Sequence, residues 1–254
     1  MVYCRFQSGE VSGWGIVEQH EVWELAGDYF STTEKTGRSF PMNDVRFLAP
    51  CDPSKIIAVG LNYKDHIAEF GRTEIPTEPV IFFKAPTAVI GLDDPIVIPK
   101  GVGRVDFEAE LGVVIKKKAR YIPEREAIDY VLGFTCINDV TARELQKKDG
   151  QWSRSKSYDT FCPMGPWISE GLPHDQLRVE SYLNQKAAQT GHTSQMIFSV
   201  PKLIAFISSV MTLLPGDVIS TGTPMGVGAL KGGDSIQVFV EGVGALRNPV
   251  TTES

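Results

Sequence analysis

Three short stretches near the start of the chain alternate apolar and polar side chains: Val2 to Phe6, Gly13 to Val17 and Glu21 to Leu25. A period of two in such short pieces predicts small antiparallel strands. Leu48-Ala49-Pro50-Cys51-Asp52-Pro53 follows, and paired prolines break ladder and helix alike. A boundary is therefore expected near residue 50, between a small N-terminal β domain (1–50) and a larger domain (51–254).

Beyond that boundary the apolar run Lys55 to Gly60 suits a buried strand, and Asn62 to Gly71 suits a short helix stopped by glycine. Further strands are predicted at 80–84, 108–116, 133–138, 167–169, 217–221 and 235–240. Helices are predicted at 124–131, 140–148 and 200–211, the last with Ser199 as N-cap and Pro201 in its first turn. Strands outnumber helices and do not alternate with them as a βαβ series would. The fold class is mixed and mainly β.

Composition narrows the partners. The 254 residues carry 25 Lys+Arg against 31 Asp+Glu, and the only dense basic block is Lys116-Lys117-Lys118. Nucleic acid and anionic membrane are thereby excluded as main partners. No apolar run of roughly 18 residues occurs, and the first residues lack the basic start and apolar stretch of a secretion signal, so a cytoplasmic location is expected. Cys4, Cys51, Cys136 and Cys162 are scattered without C-x-x-C pairing and read as free, buried thiols.

The sharpest chemical feature is Val105-Asp106-Phe107-Glu108-Ala109-Glu110-Leu111 leading into Gly112 to Ile115. On one strand, Asp106, Glu108 and Glu110 share a face, with Val105, Phe107, Ala109 and Leu111 on the other. The acids are either an ordinary solvated face or, as the apolar continuation Leu111 to Ile115 suggests, carboxylates at the mouth of a strand running into the interior. Asp139 ends another apolar stretch and is either a third acid beside them or the N-cap of the next helix. Three converging carboxylates raise one another's pKa unless a cation joins them. An all-oxygen donor set suits Mg²⁺ or Mn²⁺, with Ca²⁺ possible, and zinc is disfavoured for want of His/Cys spacing.

His66 and Glu69 are three apart and share a helix face, either as an ordinary surface pair or as an oriented general base. Lys156 is a candidate electrostatic stabiliser or simply a solvated loop cation. The glycine-rich stretch from Pro215 to Gly228 lacks phosphate-loop spacing, and neither a G-x-S-x-G elbow nor a dinucleotide fingerprint after a strand occurs.

In order, Gly60-Leu61-Asn62-Tyr63 with His66 and Glu69, Phe83-Lys84-Ala85-Pro86, Phe107 to Ile115, Asn138 to Arg143, Lys156-Ser157-Tyr158-Asp159 with Gly165-Pro166-Trp167, and Gly216-Asp217 leading to Thr221-Gly222-Thr223-Pro224 resemble the fumarylacetoacetate hydrolase superfamily. The likeness covers about residues 55 to 248, and the N-terminal segment resembles the extra domain of bacterial members of the isomerase/decarboxylase type. The resemblance implies a β-sandwich or roll with a few short helices, commonly a homodimer. It implies a divalent-metal site of Glu108, Glu110 and Asp139, a lid dyad of His66 and Glu69 that activates water, and Lys156 near the metal. It further implies substrate contacts from Lys84, Arg143, Gln146 and Thr223, on a small 2-oxo or β-diketo acid.

Three functions stay open at this level. One is metal-dependent hydrolysis of a C–C bond in a 2,4-dioxo acid. Another is decarboxylation or keto-enol isomerisation of a 2-oxo dicarboxylate or 2-hydroxymuconate-like acid from aromatic catabolism, favoured by the appended domain and by Leu61, which stands where acylpyruvase-like members carry a basic residue before Asn-Tyr. The third is a non-catalytic metal-binding module. Residues 70–78 and 144–155, polar and containing Gly71, Pro76 and Gly150, are the expected lids.

Overall fold

The computed structural model describes residues 1–69, 71 and 74–253. The alternating N-terminal stretches form the strands Val2–Ser8, Val11–Glu18 and Glu21–Leu25, and a further strand, Lys35–Pro41, adds to them antiparallel. They do not make a sheet of their own. Val2 and Tyr3 lie opposite Ser169 and Ile168, so the N-terminal strands extend one side of a twelve-stranded sheet. Inward from that junction the order is Cys162–Ser169, Val131–Asn138, Ala109–Ile115, Val218–Ser220, Ile56–Gly60 and, at the far edge, Val80–Lys84.

A five-stranded sheet packs against it, ordered Lys186–His192, Arg178–Leu183, Ser235–Val240, Gly244–Thr252 and Ile96–Ile98. Leu111, Val113, Ile115 and Phe134 of the large sheet meet Val179, Val238, Val240 and Leu246 of the smaller one, with Leu203, Ile204 and Ile207 of the helix Val200–Val210 closing the layer. On the opposite face Val114, Leu132 and Ile137 pack on Tyr3, Ile16 and Leu25. Every residue of Ala109–Ile115 is therefore buried, which is why this strand reads as a continuous apolar run rather than an alternation. Each fully buried Leu, Ile or Val contributes about 1.5–3 kcal/mol.

The expected helix 140–148 begins only at Arg143, because Thr141–Ala142 is a short strand paired with Val105–Phe107. The expected 124–131 helix is the 3₁₀ segment Glu124–Tyr130. Strands Arg178–Leu183, Lys186–His192 and Gly244–Thr252 were not expected. They bury Ser181, Gln189 and Asn248, and those inward polar residues blur the alternation that marks a strand. All four cysteines are free and buried. Among the described residues no helix is long and apolar enough to cross a membrane.

Leu61 turns the chain from strand Ile56–Gly60 to helix Lys64–Glu69 with φ at +58°, a conformation that disfavours an apolar L-residue. Its neighbour holds it there. The buried Asn62 side chain donates to the carbonyls of Phe198 (3.1 Å) and Thr221 (2.7 Å) and accepts from the Phe198 amide (2.8 Å), fastening three segments. Asn62→Ala leaves all three backbone groups unpaired and is expected to lower the free energy of unfolding by about 2–4 kcal/mol in urea titrations. A loss below about 1 kcal/mol would mean that those groups find other partners.

Candidate active site

The acidic segment is not one strand. Val105–Phe107 belongs to a three-stranded sheet with Thr141–Ala142 and Gly228–Ala229, Ala109–Ile115 belongs to the large sheet, and Glu108 occupies the break between them. The break separates the acids expected on one face. Asp106 is taken by two arginines, accepting from Arg104 Nε at 2.6 Å and Arg143 Nε at 2.7 Å. Glu108 and Glu110 instead meet Asp139, and ligand-capable oxygens of the three lie within 4.8 Å of one another.

Strand register brings Asp139 there. Ala109 pairs with Asn138, the Glu108 amide donates to Asn138 Oδ1 (2.9 Å), and the Asp139 amide donates to the Glu108 carbonyl (2.9 Å). Asp139 is thus not a helix N-cap; Ala142 holds that position. All three carboxylates are buried, with exposures of 4%, 2% and 1% for Glu108, Glu110 and Asp139.

Buried cations compensate two of them. Lys156 Nζ donates to Glu108 Oε2 (2.8 Å) and Asp139 Oδ2 (2.6 Å). Arg143 reaches Glu108 through Nη2 and Gln146 Oε1 through Nη1. Lys84, expected on the pocket wall, lies behind Asp139 instead. Its ammonium is buried and donates to Asp139 Oδ1 and the Lys156 carbonyl, both at 2.5 Å, because strand Val80–Lys84 ends directly beneath that loop. Among the described residues no cation bonds Glu110: it accepts from Ser220 Oγ (2.5 Å) and the Gly222 amide (2.8 Å).

The two glutamates respond oppositely. Burial alone would raise Glu108, but the charges of Arg143 and Lys156, then His66, hold it well below the usual carboxylate range. Burial pushes Glu110 up to about 8, reinforced by the charges of Asp139 and Glu108. Burial would lower Lys156, yet Asp139 and Glu108 outweigh it and the ammonium is held charged. A buried carboxyl raised by desolvation and by two neighbouring carboxylates is what a divalent cation relieves, so this all-oxygen set fits such an ion.

The cluster forms one side of a cavity of about 410 Å³, which His66, Arg143, Gln146 and Thr223 also line. His66 is 7% exposed, and its Nδ1 lies 3.2 Å from Glu69 Oε2, so a buried imidazole meets the carboxylate of an exposed residue. Glu69 Oε1 accepts from the Gly226 amide at 3.0 Å. The hydroxyl of Thr223, an expected substrate contact, donates to the Ala109 carbonyl at 2.8 Å. Of the expected lids, the second is ordered as the helices Arg143–Asp149 and Ser153–Lys156. Within the first, Phe70, Arg72 and Thr73 lie outside the described residues.

Some lining residues escaped the sequence reading. Trp152 and Phe82 form an edge-to-face pair 5.1 Å apart on the cavity wall, and isolated aromatics carry no signal that separates wall from core. Trp152 is seated on Gly60, where a Cβ would come within 2.5 Å of its ring, so a side chain at position 60 would push the ring aside. Ser220 and Gly222 were visible only as parts of a turn and strand.

Comparison with known proteins places the fold in a family. The family model described as fumarylacetoacetate (FAA) hydrolase, C-terminal, matches residues 55–251, and the one described as Rv2993c-like, N-terminal, matches 1–50. The structure of 2-hydroxyhepta-2,4-diene-1,7-dioate isomerase from Mycobacterium marinum superposes with a TM-score of 0.93 at 41% identity, over 100% of this chain and 99% of that one. Maleylpyruvate hydrolase from Sphingobium sp. SYK-6, solved with manganese(II) and pyruvate, superposes at 0.82 with 29% identity over 100% of both chains. The 2,4-didehydro-3-deoxy-L-rhamnonate hydrolase of Sphingomonas sp. (strain SKA58) is 44% identical over 78% of this chain and 73% of its own. With its mainly β fold and a family match over most of its length, the chain belongs to the fumarylacetoacetate hydrolase family.

Proposed function

We propose that this site hydrolyses a C–C bond of a 2,4-dioxo acid, with His66 and Glu69 activating the water and Glu108, Glu110 and Asp139 holding Mg²⁺ or Mn²⁺. The observation that carries the reading is a buried three-carboxylate cluster and a His–carboxylate pair on a single cavity. Two relatives support it: the Sphingomonas enzyme is named for a substrate oxidised at carbons 2 and 4, and the maleylpyruvate hydrolase was solved with manganese and pyruvate. When bound, the cation supplies Lewis-acid polarisation of the substrate's oxygens and charge for the leaving enolate.

The protein's own groups do the rest. Glu69 fixes the tautomer in which His66 Nδ1 carries the proton, leaving Nε2 to take one from water. The hydroxide so formed attacks the C4 carbonyl, the C3–C4 bond breaks, and its electron pair enters the 2-oxo acid fragment as an enolate. The proton held by His66 then returns to C3, so one water is consumed and two acids are released. Lys156 adds fixed positive potential beside the cluster. Gln146 is braced by Arg143 through its oxygen, which leaves its amide nitrogen to donate to a substrate carboxylate.

A second reading, decarboxylation or keto-enol isomerisation of a 2-oxo dicarboxylate in aromatic catabolism, is favoured by the full-length likeness to the Mycobacterium marinum isomerase. The two separate in an assay of chelator-stripped protein titrated with Mg²⁺ or Mn²⁺ on acetylpyruvate and oxaloacetate in parallel. Acetate release is expected; carbon dioxide alone would move the protein to the second reading. His66→Ala is expected to lower kcat for hydrolysis by about two to four orders of magnitude, and undiminished hydrolysis in that variant would remove the base from the mechanism. Glu108→Ala is expected to abolish turnover with the fold retained, which a purely metal-binding module would not explain.

The raised Glu110 carboxyl has a sign that can be checked. Between the ordinary Glu value of about 4.3 and its native value of about 8, the metal-free folded protein keeps a proton that the unfolded chain has lost. Stability of the metal-free protein therefore falls as pH rises through that window, where urea titrations should show it. Mn²⁺ binding near neutral pH is expected to release about one proton per ion, measured by calorimetry in buffers of different ionisation enthalpy. Binding without proton release would show that Glu110 is already ionised.

A further inference from the structure

Gln189 lies on the strand Lys186–His192 of the five-stranded sheet, fully buried and away from the cavity lining. Its side-chain oxygen accepts from the Ala109 amide (2.9 Å) and Ser181 Oγ (3.0 Å), and its nitrogen donates to Thr223 Oγ1 (2.7 Å) and the Pro224 carbonyl (2.8 Å). Both donors and both lone pairs of the amide are thus engaged. None of these bonds is to a neighbour along its own strand.

Their destinations matter. Ala109 is the residue between Glu108 and Glu110, so Gln189 grips the metal-side backbone at its midpoint, directly and again through Thr223, whose hydroxyl donates to the Ala109 carbonyl. Thr223 and Pro224 belong to the segment 221–226, which serves both halves of the site. The Gly222 amide holds Glu110 at 2.8 Å, and the Gly226 amide holds Glu69 at 3.0 Å. The segment is pressed flat on the strand that carries Gln189: a Cβ on Gly226 would fall 2.4 Å from the Ala188 carbonyl, and one on Gly191 would fall 2.4 Å from Pro224.

We propose that Gln189 is a positioning residue that fixes the spacing between the carboxylate cluster and the His66–Glu69 pair by clamping segment 221–226 to the strand break at Ala109. It acts only through Ala109, Gly222, Thr223 and Gly226. The proposal rests on the reading that cluster and dyad act on one substrate. Partners of this kind orient ligand groups and base, and their loss costs about 10- to 100-fold in metal affinity or activity. A residue that merely filled the core would lower the melting temperature and leave the folded molecules' affinity and turnover intact.

The test uses the full-length chain with Gln189→Met, close in size and uncharged. The chelator-stripped protein is titrated with Mn²⁺ alone, and kcat and KM are measured on acetylpyruvate, in the wild-type and His66→Ala backgrounds. Mn²⁺ is expected to bind at least about tenfold more weakly and kcat to fall about 10- to 100-fold with KM within about twofold. In the His66→Ala background the further loss of kcat should shrink below about threefold, since both changes act on one step. A folded Gln189→Met protein with wild-type Mn²⁺ affinity and kcat overturns the proposal, and so do losses that simply multiply in the double variant. If the wild type turns over neither acetylpyruvate nor oxaloacetate, the proposed reaction fails, and the Mn²⁺ titration alone decides whether Gln189 holds the cluster. If Gln189→Met does not fold, Ser181→Ala removes only the hydroxyl bonded to Gln189 and is expected to weaken Mn²⁺ by about threefold; unchanged affinity there overturns the proposal.

Discussion

Three carboxylates cannot be buried side by side unless something else is buried with them, and much of this structure answers that constraint. Lys156 bridges Glu108 and Asp139, Lys84 stands behind Asp139, and Arg143 ties Glu108 to Asp106. Isolated, any of these charges would cost several kcal/mol to desolvate. Together they make a network in which each ion is paired and hydrogen-bonded, with one exception. Among the described residues Glu110 is bonded by a hydroxyl and an amide and by no cation, so the deficit of positive charge is concentrated at a single carboxylate.

The rest of the fold can be understood as support for that network. Lys84 comes from the far edge of the large sheet, Glu110 and Asp139 from its centre, and Lys156 from a short helix on the cavity rim. The strand break at Glu108 lets the three acids of one sequence motif serve different partners. Asp106 turns to the arginines, while Glu108 and Glu110 turn to Asp139. Segment 221–226 then joins this cluster to the dyad, so residues that never touch one another share a backbone reference.

Much of this was legible along the chain. The N-terminal strands, Val80–Lys84, Ser235–Val240 and the helix Val200–Val210 followed from periodicity and capping, since each presents one clean apolar face or a clear stop signal. Among the residues of the candidate site, Glu108, Glu110, Asp139, His66 and Glu69 stood out because acids ending apolar runs, and a His–Glu pair at helical spacing, are unusual patterns. That Lys84 bonds Asp139 and the Lys156 carbonyl was not legible, because nothing in a sequence tells which side of a carboxylate a lysine will approach. Gln189 and Ser220 went unremarked as parts of the site, since a single polar residue inside a strand or turn carries no periodic signal.

The sequence by itself determined the material: strand segments and an inventory of acids and bases suited to oxygen-ligand chemistry. Local periodicity suffices for that, because facing follows from spacing within one element. Only the tertiary structure decided which members of the inventory meet. The acids at 108 and 110 join the acid at 139 through strand register, the histidine at 66 lines the same cavity, and the glutamine at 189 reaches the backbone between 108 and 110 from a different sheet. These are distances between residues far apart in the chain, and packing of one sheet on another, rather than any pattern along the chain, sets them.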